Sequence, residues 1–239
     1  MAAVEAAEKG ASVLLVEGQS EFGGSTAMAV GTLSAAGTDL QKAAGIEDST
    51  DAHFRDYLGF IGEDHTIDDY DVELTRMLVD FAPSVVARMK GLGVEFNGPQ
   101  PEPPHTVYRM HNAVPDATAY TDALLRAAGR VDVEMWTRVI VSSLGMDPNG
   151  VVSQATLRDL DEDETRVVEI ERGVVLATGY FSANREMGMA HGRPEEHDDV
   201  EPLFQGATGD GISLAVALGA ATAGMRADDP PHFRTVDRP

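Results

Sequence analysis

Cysteine is absent from all 239 residues. That excludes disulfides, thiolate metal sites and a cysteine nucleophile, so redox chemistry would need a bound organic cofactor. Lysine is nearly absent too: Lys9, Lys42 and Lys90 stand with the arginines against 40 acidic residues, and the formal net charge is -22. Nucleic acid and anionic membranes carry phosphate and would repel this chain, so neither is an expected partner. The acidity fits either a salt-adapted surface or an arginine-favouring coding bias. No apolar run reaches the roughly eighteen residues of a membrane span, and the first residues lack the charged-then-apolar layout of a secretory signal. The expectation is a cytoplasmic protein of one large or two small domains.

What is present reads as a mixed α/β chain. Ala2 to Lys9 forms an alanine-rich helix closed by Gly10, and Ser12 to Glu17 a buried strand ending in an acid, which together make the second half of a βαβ unit. A helical excursion follows over Thr50 to Phe60 and Val72 to Lys90, with Pro83 able to start a new helix inside the second. Gly93 to Phe96 reads as a short strand and Pro99 to Pro104 as a stiff connector. Asp116 or Thr118 can cap a helix through Ala128. Apolar runs at Val131 to Met135 and Val139 to Leu144, the turn Asp147 to Gly150, and the runs Val151 to Leu157 and Arg166 to Ile170 describe an antiparallel meander with an acidic tip. Gly173 to Ala177 reads as a second buried parallel strand, and Asp210 to Leu218 as a helix with an acidic cap.

Several short motifs suit a dinucleotide. Glu17 ends its strand where an acid can accept hydrogen bonds from ribose hydroxyls, although a solvated charge is the simpler reading in isolation. Gly23, Gly24, Ser25 and Thr26 place paired glycines, hydroxyls and free amides together, suiting pyrophosphate or a flavin edge, or else an ordinary turn. Gly31 and Thr32 extend that surface, where a bulky side chain would obstruct a planar ring. Thr178 and Gly179 break a strand at its carboxyl end. Asp210, in Thr208-Gly-Asp-Gly211, either accepts from a sugar chain or caps its own helix.

In this order and spacing, the alanine-rich helix, Val13-Leu-Leu-Val-Glu17, Gly23-Gly-Ser-Thr26, Ala177-Thr-Gly179 and Thr208-Gly-Asp-Gly211 resemble the FAD-binding domain of the fumarate reductase and succinate dehydrogenase flavoproteins, a family that includes 3-ketosteroid Δ1-dehydrogenases. The resemblance implies a Rossmann-like α/β domain over 1–225, with a mostly parallel sheet, a helical excursion and a β-meander. It implies FAD as cofactor, no metal, and a small-molecule substrate, a dicarboxylate or a ketosteroid. It also implies roles for Glu17 at the ribose, Ser25, Thr26, Gly31 and Thr32 along the flavin, Thr178 and Gly179 beside the adenosine half, and Asp210 near the flavin's sugar chain. Arg109-Met-His111 resembles an Arg-x-His element of some fumarate reductases, with the following proline displaced to Pro115. A loop pair satisfied by acids is the plainer reading.

The same resemblance predicts that the first strand and its Gly-x-Gly-x-x-Gly turn are missing before Ala2. That loss would leave the strands at Val13 and Val174 with unpaired edges, FAD binding poor and folding marginal. The residues 226–239 are expected to be an irregular tail where a capping domain would begin, with the proton-donating arginine of fumarate reductases further on, so the catalytic residues are unknown. His232 falls near a substrate-binding histidine of that family, but its flanking sequence does not match. Three readings stand: an FAD-dependent oxidoreductase transferring hydride at flavin N5 to or from a carbon-carbon bond next to a carbonyl or carboxylate, its gene model truncated or its remainder encoded separately; a non-catalytic FAD-binding remnant; and an NAD-binding Rossmann protein of chance similarity.

Overall fold

The computed structural model describes residues 1–61, 72–191, 200–202, 204–225 and 233–235. In chain order the elements are α1 (Ala2–Glu8), β1 (Leu14–Val16), α2 (Gly24–Met28), β2 (Thr32–Ser34), α3 (Asp39–Ala43), α4 (Thr50–Ile61), α5 (Val72–Gly91), β3 (Glu95–Gln100), β4 (Met110–Val114) and α6 (Thr118–Arg130). There follow β5 (Glu134–Trp136), β6 (Val139–Met146), β7 (Val152–Asp159), β8 (Thr165–Glu169), α7 (Arg185–Ala190), β9 (Val200–Pro202), α8 (Asp210–Ala217) and β10 (Phe233–Thr235). The chain divides into two compact units, one of Met1–Ser25 with Ala128–Pro239 and one of Thr26–Ala127.

In the first unit, α1 is built from strong helix formers. It stops at Gly10, whose φ of 81° lets Gly10 and Ala11 return their amides to Ala7 and Ala6. β1 then pairs in parallel with β5, Leu14 opposite Glu134 and Val16 opposite Trp136. β6, β7 and β8 form the expected meander as antiparallel neighbours, while the run at Val131 to Met135 leads into β5, outside it and parallel to β1. Val139, Ala155 and Leu157 of the meander are buried, with Leu14, Val16 and Trp136 packed against them. Asp147 closes the first hairpin by accepting from the amides of Asn149 and Val151.

The expected strand at Gly173 to Ala177 is not one. Residues 173–180 carry no strand pairing, and Val175 is 73% exposed. An apolar run becomes a strand only where a neighbour takes its N–H and C=O groups, and none of the described residues does so here. The segment is held instead through Thr178 and Tyr180, described below.

In the second unit, β2, β4 and β3 form an antiparallel sheet in that order. β3 continues through Pro99, beyond the strand expected from sequence, because it lies at the sheet edge, where a residue without an N–H is tolerated. Pro83 sits inside a continuous α5 instead of starting a new helix. Asp116 accepts from the Thr118 amide at the start of α6. The core gathers Met89, Val94, Ala113, Ala117, Tyr120 and Ala123. α3, with a full capping box between Thr38 and Gln41, was not anticipated. Of the residues 226–239, only 233–235 are described, as a strand antiparallel to β9; His232 lies outside the described residues.

Candidate functional site

The first unit brings several of the expected residues together around the loop 204–209. Thr178 Oγ1 accepts from the Gly211 amide at 3.2 Å. The Gly209 amide donates to the Tyr180 carbonyl, the Ala183 amide to Ala207, and the Asn184 side chain to Thr208. The Thr178-Gly179 turn and the Gly209-Asp210-Gly211 start of α8 are thus stitched together although about thirty residues separate them. A side chain at Gly211 would meet Thr178 Oγ1 at 2.3 Å, so this position admits only glycine without movement. Gly209, at φ 77°, is the N-cap of α8 and makes no side-chain cap bond. Asp210 is therefore the first helical residue, exposed, and does not cap its own helix, which removes one of its two expected roles.

On the same loop, the Phe204 ring lies 3.8 Å from where a Gly24 side chain would begin. At Gly206 a side chain would strike that ring at 2.4 Å and Gln19 Nε2 at 3.0 Å. Gly23 and Gly24 have φ of 146° and 52°, and Ser25 is exposed on α2. Gln19 in turn donates its amide to Glu17 Oε1 at 2.9 Å. Glu17 follows β1 directly, beside 136–139, its amide bonded to the Trp136 carbonyl and its carbonyl to the Val139 amide. At this carboxyl end of the parallel pair lies a pocket of about 270 Å³ lined by Trp136, Thr137, Val139, Leu157, Asp159 and Arg166. The Arg166 guanidinium lies 5.9 Å from the centre of the Trp136 ring. The sequence reading missed this pocket; parallel pairing of β5 with β1 is what brings it to Glu17.

The expected residues of the second unit have internal explanations. Gly31 is buried at φ 84°, and a side chain there would lie 2.8 Å from the Ala117 amide nitrogen. Its carbonyl accepts from the Tyr120 hydroxyl at 2.7 Å and from the Ala113 amide. Burial raises the Tyr120 pKa to about 12, so the hydroxyl stays protonated and donating. Thr32 Oγ1 donates to Asn112 Oδ1 at 2.6 Å, opposite it in the β2–β4 pair. Thr26 is exposed on α2.

Arg109 and His111 are structural. Arg109 is 0% exposed, and its guanidinium grips the Asp48 carboxylate through Nε and Nη2 at 2.7 and 2.9 Å, with Nη1 on Asp56. Burial works against the Asp48 charge, but bonds from Arg109, Gln41 and the Ser49 amide overcome it and hold its pKa below the usual carboxylate range. Asp56, likewise opposed by burial and rescued by Arg109 and Thr106, falls to about 2. His111 is also 0% exposed, with Nε2 2.9 Å from Thr38 Oγ1 and Nδ1 3.3 Å from the Leu33 carbonyl. Burial lowers its pKa. Arg109 is satisfied by acids, as in the plainer reading, whereas His111 lies on β4 and is satisfied by the Thr38 hydroxyl and the Leu33 carbonyl, so neither side chain is left over for a substrate anion. Nothing in a single sequence announces Asp48 and Asp56 as partners of Arg109, because more than fifty residues separate them from it.

Comparison with known proteins gives the family. A family model described as FAD binding domain matches residues 1–229. NADH:fumarate oxidoreductase of Klebsiella pneumoniae is 32% identical over 234 residues, covering 94% of this chain and 24% of its own length. The structure of 3-ketosteroid-Δ4-(5α)-dehydrogenase from Rhodococcus jostii RHA1 with 4-androstene-3,17-dione is 26% identical with a TM-score of 0.81, over 94% of this chain and 52% of that one. A flavocytochrome c3 fumarate reductase in an open conformation is 26% identical with a TM-score of 0.83, over 92% and 38%. The chain thus spans about a quarter of the Klebsiella relative and about half or less of the two solved structures.

Proposed function

The chain belongs to the FAD binding domain family, whose cofactor is FAD, and from that premise we propose that it serves an FAD-dependent oxidoreductase moving hydride to or from a carbon-carbon bond next to a carbonyl or carboxylate. The observation that carries the proposal is the seam in the first unit between Thr178-Gly179 and Gly209-Asp210-Gly211. It gathers small residues, positive-φ backbone and an uncommitted acid at a helix start, as close approach of a ligand's sugar and phosphate groups requires.

The residues of this unit fit the group. In this reading Glu17 accepts from the adenosine ribose, and the pocket beside Trp136 and Val139 takes the base. Gly23, Gly24 and Ser25 offer amides and a hydroxyl to phosphate oxygens. In the same reading Thr178 and Gly179 flank the adenosine half, and Asp210, exposed at the start of α8, accepts from ribitol hydroxyls. Gly31 and Thr32 are taken up by contacts within the second unit, so the proposal leaves Thr26 as the residue there with an exposed hydroxyl. When bound, FAD supplies the hydride chemistry, while the protein holds and orients it. A cytoplasmic location remains part of this reading; no helix among the described residues is long and apolar enough to cross a membrane.

The test is to purify the chain and record its visible spectrum before and after adding FAD, identifying the released flavin by mass. Bound yellow flavin released as intact FAD is expected. A colourless protein that retains no flavin after exposure to excess FAD refutes the reading.

A further inference from the structure

An aromatic ring stands against the Gly23-Gly24 turn of the first unit. Cε1 and Cζ of Phe204 lie 3.8 Å from where a Gly24 side chain would begin, and both residues belong to that unit. The ring reaches the turn by folding back over its own loop. At Gly206 a side chain would begin 2.4 Å from Cζ and 2.6 Å from Cε1, so only the lack of a Cβ there lets the ring lie as it does. Gly23 and Gly24 have φ of 146° and 52°, which leaves their backbone open to close approach. A ring edge gives a phosphate no hydrogen-bond donor, and stripping water from the phosphate against it is a cost without return.

The loop divides just after the ring. From Ala207 onward it is stitched down: the Ala207 carbonyl accepts from the Ala183 amide at 2.8 Å, and the Thr208 carbonyl from the Asn184 side chain at 2.9 Å. The Gly209 and Gly211 amides donate to the Tyr180 carbonyl and Thr178 Oγ1, each at 3.2 Å. Ala207 and Gly209 are buried, whereas Phe204 is half-buried and Gln205 exposed. The Phe204 carbonyl accepts from the Ala207 amide at 3.3 Å, long for such a bond. Rotation about the Phe204 side-chain bonds therefore lifts the ring from Gly24 while the stitched part carrying Asp210 stays in place.

We propose that Phe204 is a wedge that keeps the glycine turn closed to phosphate until its ring swings off Gly24, so that this one side chain sets how fast and how tightly FAD is taken up. The proposal rests on the FAD-dependent reading, with the phosphates at Gly23 and Gly24. Where only a fraction of the molecules is competent to bind, the affinity falls by that fraction, and a change that frees the competent state restores it. Two substitutions free it by opposite means. Phe204→Ala removes the ring. Gly206→Ala keeps the ring and adds a methyl group that strikes it. The φ of Gly206 is outside the left-handed region, and the atoms in the way, the Phe204 ring and Gln19 Nε2, are side-chain ends, so alanine is accommodated once they move.

The full chain and each variant are mixed with FAD in a stopped-flow instrument, and flavin fluorescence gives the association and dissociation rate constants. Both variants should raise the association rate constant about tenfold and lower Kd by about the same factor, with dissociation unchanged. A ring that merely packs the loop predicts the opposite sign, slower or weaker binding. The double variant should gain nothing over Phe204→Ala, because the added methyl group then has no ring to strike; a further gain would assign the effect to the loop backbone and overturn the proposal. Melting temperatures without FAD show which variants fold, and should one single variant unfold, the other decides. A folded single variant that associates less than about twofold faster than the wild type overturns the wedge and leaves the FAD reading standing. Binding by the variants alone, with the wild type refusing FAD, supports the wedge. Binding by none of the proteins overturns the FAD reading and the wedge with it.

Discussion

Replacing Arg109 by Met keeps the side-chain length and removes the charge that Asp48 and Asp56 share. The Asp48 side chain is 0% exposed and that of Asp56 11%, so water cannot take the place of the guanidinium without rearrangement. Breaking a buried pair by removing one partner costs about 3 to 5 kcal/mol. For a chain of this length each kcal/mol moves the melting temperature by roughly 2 to 4 °C, so a fall of about 6 to 20 °C is expected at pH 7.5. The pH dependence sharpens the test. In the wild type the Asp56 pKa is about 2, below its unfolded value, so its contribution is present above about pH 4 and lost only as pH falls toward 2. Without Arg109, burial becomes the dominant influence and raises both carboxyl pKa values. The folded variant is then favoured by protonation, and its deficit against the wild type should shrink by more than about 1 kcal/mol between pH 7.5 and pH 5. Urea denaturation at the two pH values measures this. A deficit under about 1 kcal/mol, or one that does not change with pH, would refute the view that Arg109 braces the second unit through buried ion pairs.

His53 should govern the next step of acid stability. Its folded pKa of about 4 lies below the ordinary 6.5, so its contribution is present above pH 6.5 and lost as pH falls toward 4; His53→Gln should flatten the melting profile in that window. Gly31→Ala should cost about 2 to 4 kcal/mol through the positive φ and the contact with Ala117, read as the melting temperature without FAD. A variant that melts normally but loses FAD would instead restore a ligand role for the missing side chain. If the acidic surface is salt-adapted, raising salt from low ionic strength to about 1 M should raise the melting temperature by screening the net charge of -22; an unchanged melt would favour coding bias.

The helices were legible where apolar periodicity and capping residues agreed, as in Ala2 to Lys9 closed by Gly10 and in the long pattern ending at Lys90. The meander was legible because Asp147 to Gly150 announces its turn. The run Val174 to Ala177 misled because its composition fits a buried strand, while strand formation depends on a neighbour that composition does not specify. β4 was missed for the reverse reason: Met110 to Val114 has little alternation, and its pairing with β2 and β3 creates it. At the candidate site, glycines could be recognised as positions of close approach, but not what approaches. At Gly31 it is the protein's own Ala117 backbone, and at Gly211 it is Thr178. Burial of Arg109 is a tertiary outcome of Asp48 and Asp56 converging on it, which no local pattern encodes.

The central claim is that Glu17 and Asp210 hold FAD in the first unit, and equilibrium titration of the purified chain with FAD, followed by flavin fluorescence, tests it most directly. The wild type should bind saturably, and Glu17→Ala and Asp210→Ala should each weaken binding by roughly tenfold or more, the loss of charge-assisted hydrogen bonds, with melting temperatures unchanged in the absence of FAD. Equal affinity in the wild type and both variants would contradict the account.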